Sequence, residues 1–223
     1  MSETSKAWEA IQRMNASEGF ALGPINGESL LKDPKHLSFV LSRYKFAGKM
    51  FRRCETILDA GCGEGLGVLT YLAETPARIT AIDFDQDQIR YCQEHIEPLC
   101  RERVSFERHD LVSGPVGSAA FDGFSCIDVI EHLHPEDEAL FLKHCAASLK
   151  TGGVAIWGTP NLHASAYAGP RSQVGHINLF DPERFTSTLE NHYSQVFLFS
   201  MNDEVIHTGF SKMAHYLMAL CVK

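Results

Sequence analysis

From Thr56 onward the apolar positions follow two alternating periods. ETILDA, RITAID, VSFERHD, FDGFSCID and GVAIWGTP are short apolar runs of strand length. Between them, LGVLTYLAE and QDQIRYCQEHIE carry apolar residues at helical spacing. A further helix is expected to begin near Pro135, where Glu136, Asp137 and Glu138 suit the positive end of a helix dipole. It is expected to end at Lys150, before the breaker Thr151-Gly152-Gly153. Such alternation predicts a largely parallel sheet with helices on both faces.

Residues 1–50 read as a helical cap. Asp33 and Pro34 form a start signal, and Leu37, Val40, Leu41 and Tyr44 then share one face. After the fifth strand, residues 160–180 are polar and rich in Gly, Ser and His. A loop of that length in a compact domain is commonly functional, so it is expected to border an active site. DPERFTSTLE restarts a helix with Asp181 as N-cap, and SQVFLFSM and HYLMALCV read as a final antiparallel pair joined by NDEVIHTGFSKM. The expectation is a single α/β domain over residues 1–223, built on a mostly parallel seven-stranded sheet with an antiparallel last strand.

Composition narrows the class. At 223 residues and 44% hydrophobic content, the chain is long enough for one sizeable core. No apolar run approaches the ~18 residues of a membrane span, and MSETSKAWEA lacks the basic start and apolar stretch of a secretory leader. A cytoplasmic location without membrane attachment is therefore expected. The seven cysteines form no CxxC pair, which favours reduced, buried thiols over a disulfide framework or a zinc ribbon. The formal charge of −8 disfavours a nucleic-acid partner. The basic clusters Lys45–Arg53 and Arg101–Arg108 read as solvated faces, and the oligomeric state is open.

The strongest chemical signal is ILDAGCGEGLG. The first strand ends at Asp59, and Gly61, Gly63 and Gly65 follow at alternate positions. Glycines at a strand–helix corner let the backbone turn tightly and approach a ligand, while the next helix offers unpaired N–H groups. The dinucleotide pattern GxGxxG needs a glycine at 66 or 68, where Leu66 and Val68 stand. The observed GxGxG after an acidic residue resembles motif I of the class I S-adenosylmethionine-dependent methyltransferases. Asp83 in AIDFD, Asp110 in ERHDL, FDGFSCIDVIEHL and LKTGGVAIWGTPN match that family's later motifs in order, over about residues 55–161.

The resemblance implies a Rossmann-like class I methyltransferase fold with S-adenosylmethionine as cofactor. It implies that Asp59, Gly61, Gly63 and Gly65 surround the methionine portion, and that Asp83 holds the ribose with Phe84 flanking the adenine. It further implies that Asp110 and Leu111 fix the adenine edge and that the backbone of Ile127 contacts the amino group. Arg43 and Tyr44 are candidates for the cofactor's carboxylate, or else a helix-surface charge and a core aromatic.

Methyl transfer to a hydroxyl needs the acceptor aimed and its proton removed, which a base or a metal ion assists. Asp128, Glu131 and His132 in DVIEHL are expected to share one helical face at the C-terminal sheet edge. His176 and Asn178 follow in VGHINLF. The set resembles the metal site of ubiquinone-pathway O-methyltransferases and of small-RNA 2′-O-methyltransferases, although Asp128 stands where those families carry Glu. Asp128, Glu131, His132 and His176 are thus candidate ligands for a divalent ion, Mg²⁺ or a transition metal. His132, His176 and Glu131 are equally candidates for metal-free acid–base catalysis. His207 and Tyr216, in the terminal strand pair, and Arg171, Ser172 and Gln173 are secondary acceptor-side candidates, and Trp157 is expected in the core.

HLSFVLSRYKF, GHINLF and NDEVIHTGF are similar to a group of bacterial methyltransferases of cell-surface glycan or phosphorus-containing natural-product pathways. Together these readings imply O-methylation of a small acceptor of sugar, phosphonate or phosphoramidate type. N-methylation of a small amine and 2′-O-methylation of RNA are the enzyme alternatives. A non-catalytic S-adenosylmethionine sensor is the alternative from outside the enzymes.

Overall fold

A computed structural model describes residues 2–14, 22–100 and 102–223. Part of the expected cap, residues 15–21, lies outside them. The cap's described helices are α1 (Glu3–Met14), α2 (Pro24–Lys32) and α3 (Pro34–Met50). Strand–helix alternation then runs through β1 (Thr56–Ala60), α4 (Leu66–Glu74), β2 (Arg78–Asp83), α5 (Gln86–His95), β3 (Val104–Arg108), β4 (Phe121–Ile127), α6 (Glu138–Ser148) and β5 (Leu149–Pro160). The chain closes with α7 (Pro170–Gly175), α8 (Pro182–Glu190), β6 (Gln195–Asn202), β7 (Val205–His207) and β8 (Tyr216–Val222).

The strands form one sheet in the order β3-β2-β1-β4-β5-β8-β6-β7. The pairs among β1 to β5 are parallel, and β8 inserts antiparallel between β5 and β6. The seven expected strands are present, and an eighth joins them. It is β7, a three-residue edge strand pairing with β6 from Ser200–His207 to Asn202–Val205. Chain order reverses at β1, whose neighbours are β2 and β4, and the carboxyl edge there is where open α/β sheets bind ligands.

Both sheet faces are covered, which explains the near-continuous apolar strands. On one face Trp157 of β5 is fully buried against Phe124, Phe141 and Tyr193, as expected for a core tryptophan. On the other, α3 lies across α4, with Tyr44 edge-on to Tyr71. Gly67 permits that approach, since a Cβ there would sit 2.6 Å from the Tyr44 ring. All seven cysteines are buried and free. Among the described residues no helix is long and apolar enough to cross a membrane.

Several boundaries differ from expectation for local reasons. Helix α6 starts at Glu138, because Pro135 to Asp137 form a turn closed by the Asp137 N–H donating to His134 O. It ends at Ser148, and β5 begins at once. Its register with β4 then slips between Phe121 and Gly123, so Lys150–Gly153 bulge out with Gly152 at φ +76°. Asp33 does precede α3, but its side chain makes no cap hydrogen bond, whereas Asp181 accepts from Arg184 N at 2.7 Å. Residues 160–180 are more than loop, holding a 3₁₀ segment (Leu162–Tyr167) and α7.

Candidate active site

The corner after β1 is a chain of left-handed glycines, with φ +74° at Gly61, +51° at Gly63 and +75° at Gly65. The N–H groups of Gly61 and Cys62 donate to Ile82 O at 2.8 and 2.9 Å, fastening the turn to the end of β2. Asp83 closes the arrangement, with Oδ2 accepting from Gly63 N at 3.0 Å and Oδ1 from Asp85 N at 2.9 Å. A half-buried side chain already blocks one direction, because a Cβ on Gly61 would meet Val129 Cγ2 at 2.2 Å. Around Gly63 nothing lies within 4 Å of that position, so the corner opens to space there. At the end of β1 itself, burial pushes Asp59 up to about 7, and the Asp83 carboxylate pushes the same way.

That space is a cavity of about 1170 Å³ at the carboxyl edge of the sheet. Gly61, Gly63, Ile127, Asp128, Glu131, His132 and His176 line it, together with Arg43 and Tyr44 of α3 and Arg171, Ser172 and Gln173 of α7. Asp59, Gly65, Asp83, Phe84, Asp110 and Leu111 do not line it. Asp83, Phe84 and Asp110 stand along the same edge beyond β2 and β3, and Phe84 presents its ring to solvent at 72% exposure. Asp110 caps its own turn through Val112 N at 2.9 Å, and Leu111 is buried. A smaller basic depression of about 490 Å³, lined by Lys49, Arg52, Arg53 and Lys150, involves none of these residues.

The segment after β4 departs from the expected helix face. Ile130–His132 is a single 3₁₀ turn, and Asp128 before it has φ +58°, a strained conformation for a non-glycine residue. The strain turns its carboxylate to Arg43, whose Nη1 donates to Oδ1 at 2.9 Å and Oδ2 at 2.7 Å. The Arg43 guanidinium also stacks 3.6 Å above the Tyr216 ring.

Glu131, His132 and His176 do come together, each offering a ligand atom within 4.8 Å of the others. Asp128 is not of that group. Glu131 is fully buried, with Oε2 accepting from Thr159 Oγ1 at 3.1 Å and Oε1 lacking a partner. Burial, and after it the Asp128 carboxylate, pushes its pKa up to about 8. His132 Nδ1 lies 2.9 Å from Gly175 O; a carbonyl only accepts, so Nδ1 carries a proton and Nε2 is the ring nitrogen left for a ligand. The His176 ring packs edge-on at 4.9 Å from that of His132, and burial together with His132 lowers its pKa, favouring the neutral form. These are features of metal-ligand sites: an imidazole oriented by a backbone carbonyl, a second one held toward its neutral form, and an orphaned buried carboxylate oxygen.

Other candidates have structural partners. Asn178 spends its amide on Glu138 at 2.7 Å and on Arg184 at 2.8 Å, and its N–H donates to Glu131 O. His207 is engaged through both ring nitrogens, with Asn202 and Gly209 N, and lies outside the cavity lining. Glu64, His36, Asn161 and His215 line the cavity without having been singled out. Glu64 carried a signal, a charged residue inside a buried glycine corner; the histidines carried none.

A parallel sheet with a GxGxG corner, an acidic residue closing β2 and an antiparallel insertion is the arrangement of the class I S-adenosylmethionine-dependent methyltransferase fold, and the comparisons with known proteins point to the same class. The Methyltransferase domain family, Methyltransf_25, matches residues 57–153. A probable S-adenosylmethionine-dependent methyltransferase of Mycolicibacterium smegmatis is 28% identical over 141 residues, 62% of this chain and 52% of that protein. A ubiquinone biosynthesis O-methyltransferase of Coxiella burnetii is 28% identical over 137 residues, 61% of this chain and 54% of that one. The chain spans about half the length of these relatives. Among solved structures, the methyltransferase domain of bacterial CtHen1 superposes with TM-score 0.67 at 18% identity, covering 83% of this chain and 97% of that one. A SAM-dependent methyltransferase from Archaeoglobus fulgidus gives 0.63 at 19%, covering 89% and 98%.

Proposed function

We propose that this chain transfers the methyl group of S-adenosylmethionine to a hydroxyl oxygen of a small acceptor of sugar, phosphonate or phosphoramidate type. The observation that carries the reading is the Glu131–His132–His176 group on the cavity wall, facing the open side of the glycine corner. A hydroxyl needs its proton taken or its oxygen activated, whereas a neutral amine does not. Two imidazoles beside a buried carboxyl answer that need. The ubiquinone relative, an O-methyltransferase by name, points the same way. The acceptor class rests on the resemblance of HLSFVLSRYKF, GHINLF and NDEVIHTGF.

In this reading the cofactor supplies an electrophilic methyl on a sulfonium. Gly61 and Gly63 line the methionine end, Asp83 offers its remaining lone pairs to the ribose, and Phe84 and Asp110 stand at the adenine side. The Arg43–Asp128 pair, at the middle of α3, holds charges of both signs for the aminoacyl group. Glu131, His132 and His176 fit a divalent cation, which would supply Lewis acidity toward the acceptor oxygen. The unpartnered Glu131 Oε1 is the clearest sign of fit, since a cation there would hold ionised a carboxyl that burial otherwise keeps protonated. Without the ion, His132, fixed by Gly175 O, and His176 are placed to take the acceptor's proton; with it, the same lone pairs would hold the cation instead.

The test strips purified enzyme with chelator and follows S-adenosylhomocysteine release over a panel of sugar, phosphonate and amine acceptors. Loss of turnover on hydroxyl acceptors, restored by Mg²⁺ or Mn²⁺, is the expected result. Turnover untouched by stripping would remove the metal and leave the histidines as base. Turnover confined to amines would overturn the hydroxyl assignment.

A further inference from the structure

Glu64, between two glycines of the corner, does something the corner itself does not require. It is 6% exposed, and no lysine or arginine pairs with it among the described residues. Its carboxylate instead accepts three hydrogen bonds, all from the first turn of α2. They come from Ile25 N at 2.7 Å, Asn26 N at 2.8 Å and Asn26 Nδ2 at 2.8 Å. Helix α2 has Gly23 as N-cap and Pro24 next, so it brings no capping side chain of its own. A Cβ on Gly23 would stand 2.3 Å from Glu64 Cδ, so a carboxylate from 41 positions further along the chain fills the place of the cap.

Helix α2 buries no residue, so apolar packing holds it weakly. Yet Ile25, Asn26 and Ser29 line the cavity beside the glycine corner. Further along, Glu28 pairs with Arg171 of α7 at 2.5 Å. Helix α7 in turn supplies Gly175 O to His132 and leads directly into His176. One thinly packed helix thus ties the cofactor corner to the acceptor-side histidines.

We propose that Glu64 is a positioning residue that latches α2 as a cover over the cofactor end of the cavity. Opening of that latch sets how fast the spent cofactor leaves. The inference rests on the cavity taking S-adenosylmethionine. Charge-assisted hydrogen bonds at a buried carboxylate are strong enough that their loss raises the dissociation rate of S-adenosylhomocysteine by on the order of tenfold. The Glu28–Arg171 pair, exposed on the arginine side, contributes about twofold or less.

The test measures S-adenosylhomocysteine dissociation by stopped flow, and backbone amide exchange over residues 24–32, in the full chain. The variants are Glu64→Ala, Glu64→Gln, Gly23→Ala and Arg171→Ala. Gly23→Ala displaces the same carboxylate from the helix side and leaves the corner untouched. The proposal expects faster dissociation and lost exchange protection in both Glu64→Ala and Gly23→Ala, with partial rescue in Glu64→Gln, which keeps one acceptor oxygen. A purely structural role would lower the melting temperature and leave the dissociation rate alone. A rate changed by Glu64→Ala but not by Gly23→Ala would overturn the latch, as would unchanged rates in both. If Glu64→Ala does not fold, Gly23→Ala alone decides. A wild-type chain that takes up no S-adenosylhomocysteine would instead refute the functional reading beneath it.

Discussion

Gly61 and Gly63 belong to one motif, but the structure assigns their substitution to different observables. Alanine at Gly61 must adopt φ +74° and place its Cβ 2.2 Å from Val129 Cγ2, with two more Val129 carbons at 3.4 and 3.5 Å. The left-handed backbone costs about 1–2 kcal/mol and the overpacking about 1–3 kcal/mol, roughly 2–5 kcal/mol together. For a chain of this size that is a fall in Tm of roughly 4–20 °C. Alanine at Gly63 has a similar backbone cost at φ +51°, but its Cβ meets nothing within 4 Å and enters the open side of the corner. Gly63→Ala is therefore expected to lose only about 2–8 °C. Its affinity for S-adenosylhomocysteine should fall by about tenfold or more, the methyl occupying ligand space. Scanning fluorimetry and titration calorimetry on the two variants read both quantities. Wild-type affinity in Gly63→Ala, or a Tm loss as large as that of Gly61→Ala, would refute the reasoning.

His132→Ala and His176→Ala are each expected to lower turnover by about 10²–10⁴-fold, with S-adenosylhomocysteine affinity unchanged by calorimetry; a cofactor-binding defect of similar size would place them on the wrong ligand. Asp59 makes a pH prediction. Its folded value is raised from 3.8 to about 7, so the folded chain holds the proton longer than the unfolded one. Its contribution to stability is fully present below pH 3.8 and is lost as pH rises to about 7, up to about 4 kcal/mol in all. Asp59→Asn should flatten the stability profile between those limits and raise Tm at pH 8, which urea titrations across pH would check; an unchanged profile would refute it.

The strand frame was legible because parallel strands are buried on both faces and read as apolar runs; β2 begins and ends where RITAID does. The glycine corner was legible because left-handed turns at Gly61, Gly63 and Gly65 exclude most other residues. Strand β7 is too short for a period of two to register. The 3₁₀ segment and α7 within residues 160–180 depend on distant partners, such as Leu162 N donating to Phe180 O and Asn161 Nδ2 to Ser211 O and Ala214 O. At the site, the approach of Glu131, His132 and His176 followed from their residue types and sheet position. The diversion of Asp128 did not, because Arg43 lies 85 positions earlier. Glu64's partnership with α2 spans 38 and 39 positions and likewise leaves no local trace.

Titration calorimetry of S-adenosylhomocysteine into the wild-type chain and Asp83→Ala reads whether the corner after β1 holds the nucleoside. Asp83 accepts from Gly63 N and stands at the same edge, so its removal loosens the corner and deletes the acceptor proposed for the ribose hydroxyls. Saturable uptake by wild type, weakened by about a hundredfold or more in Asp83→Ala, is the predicted result. No uptake by wild type, or equal uptake by both, would contradict it.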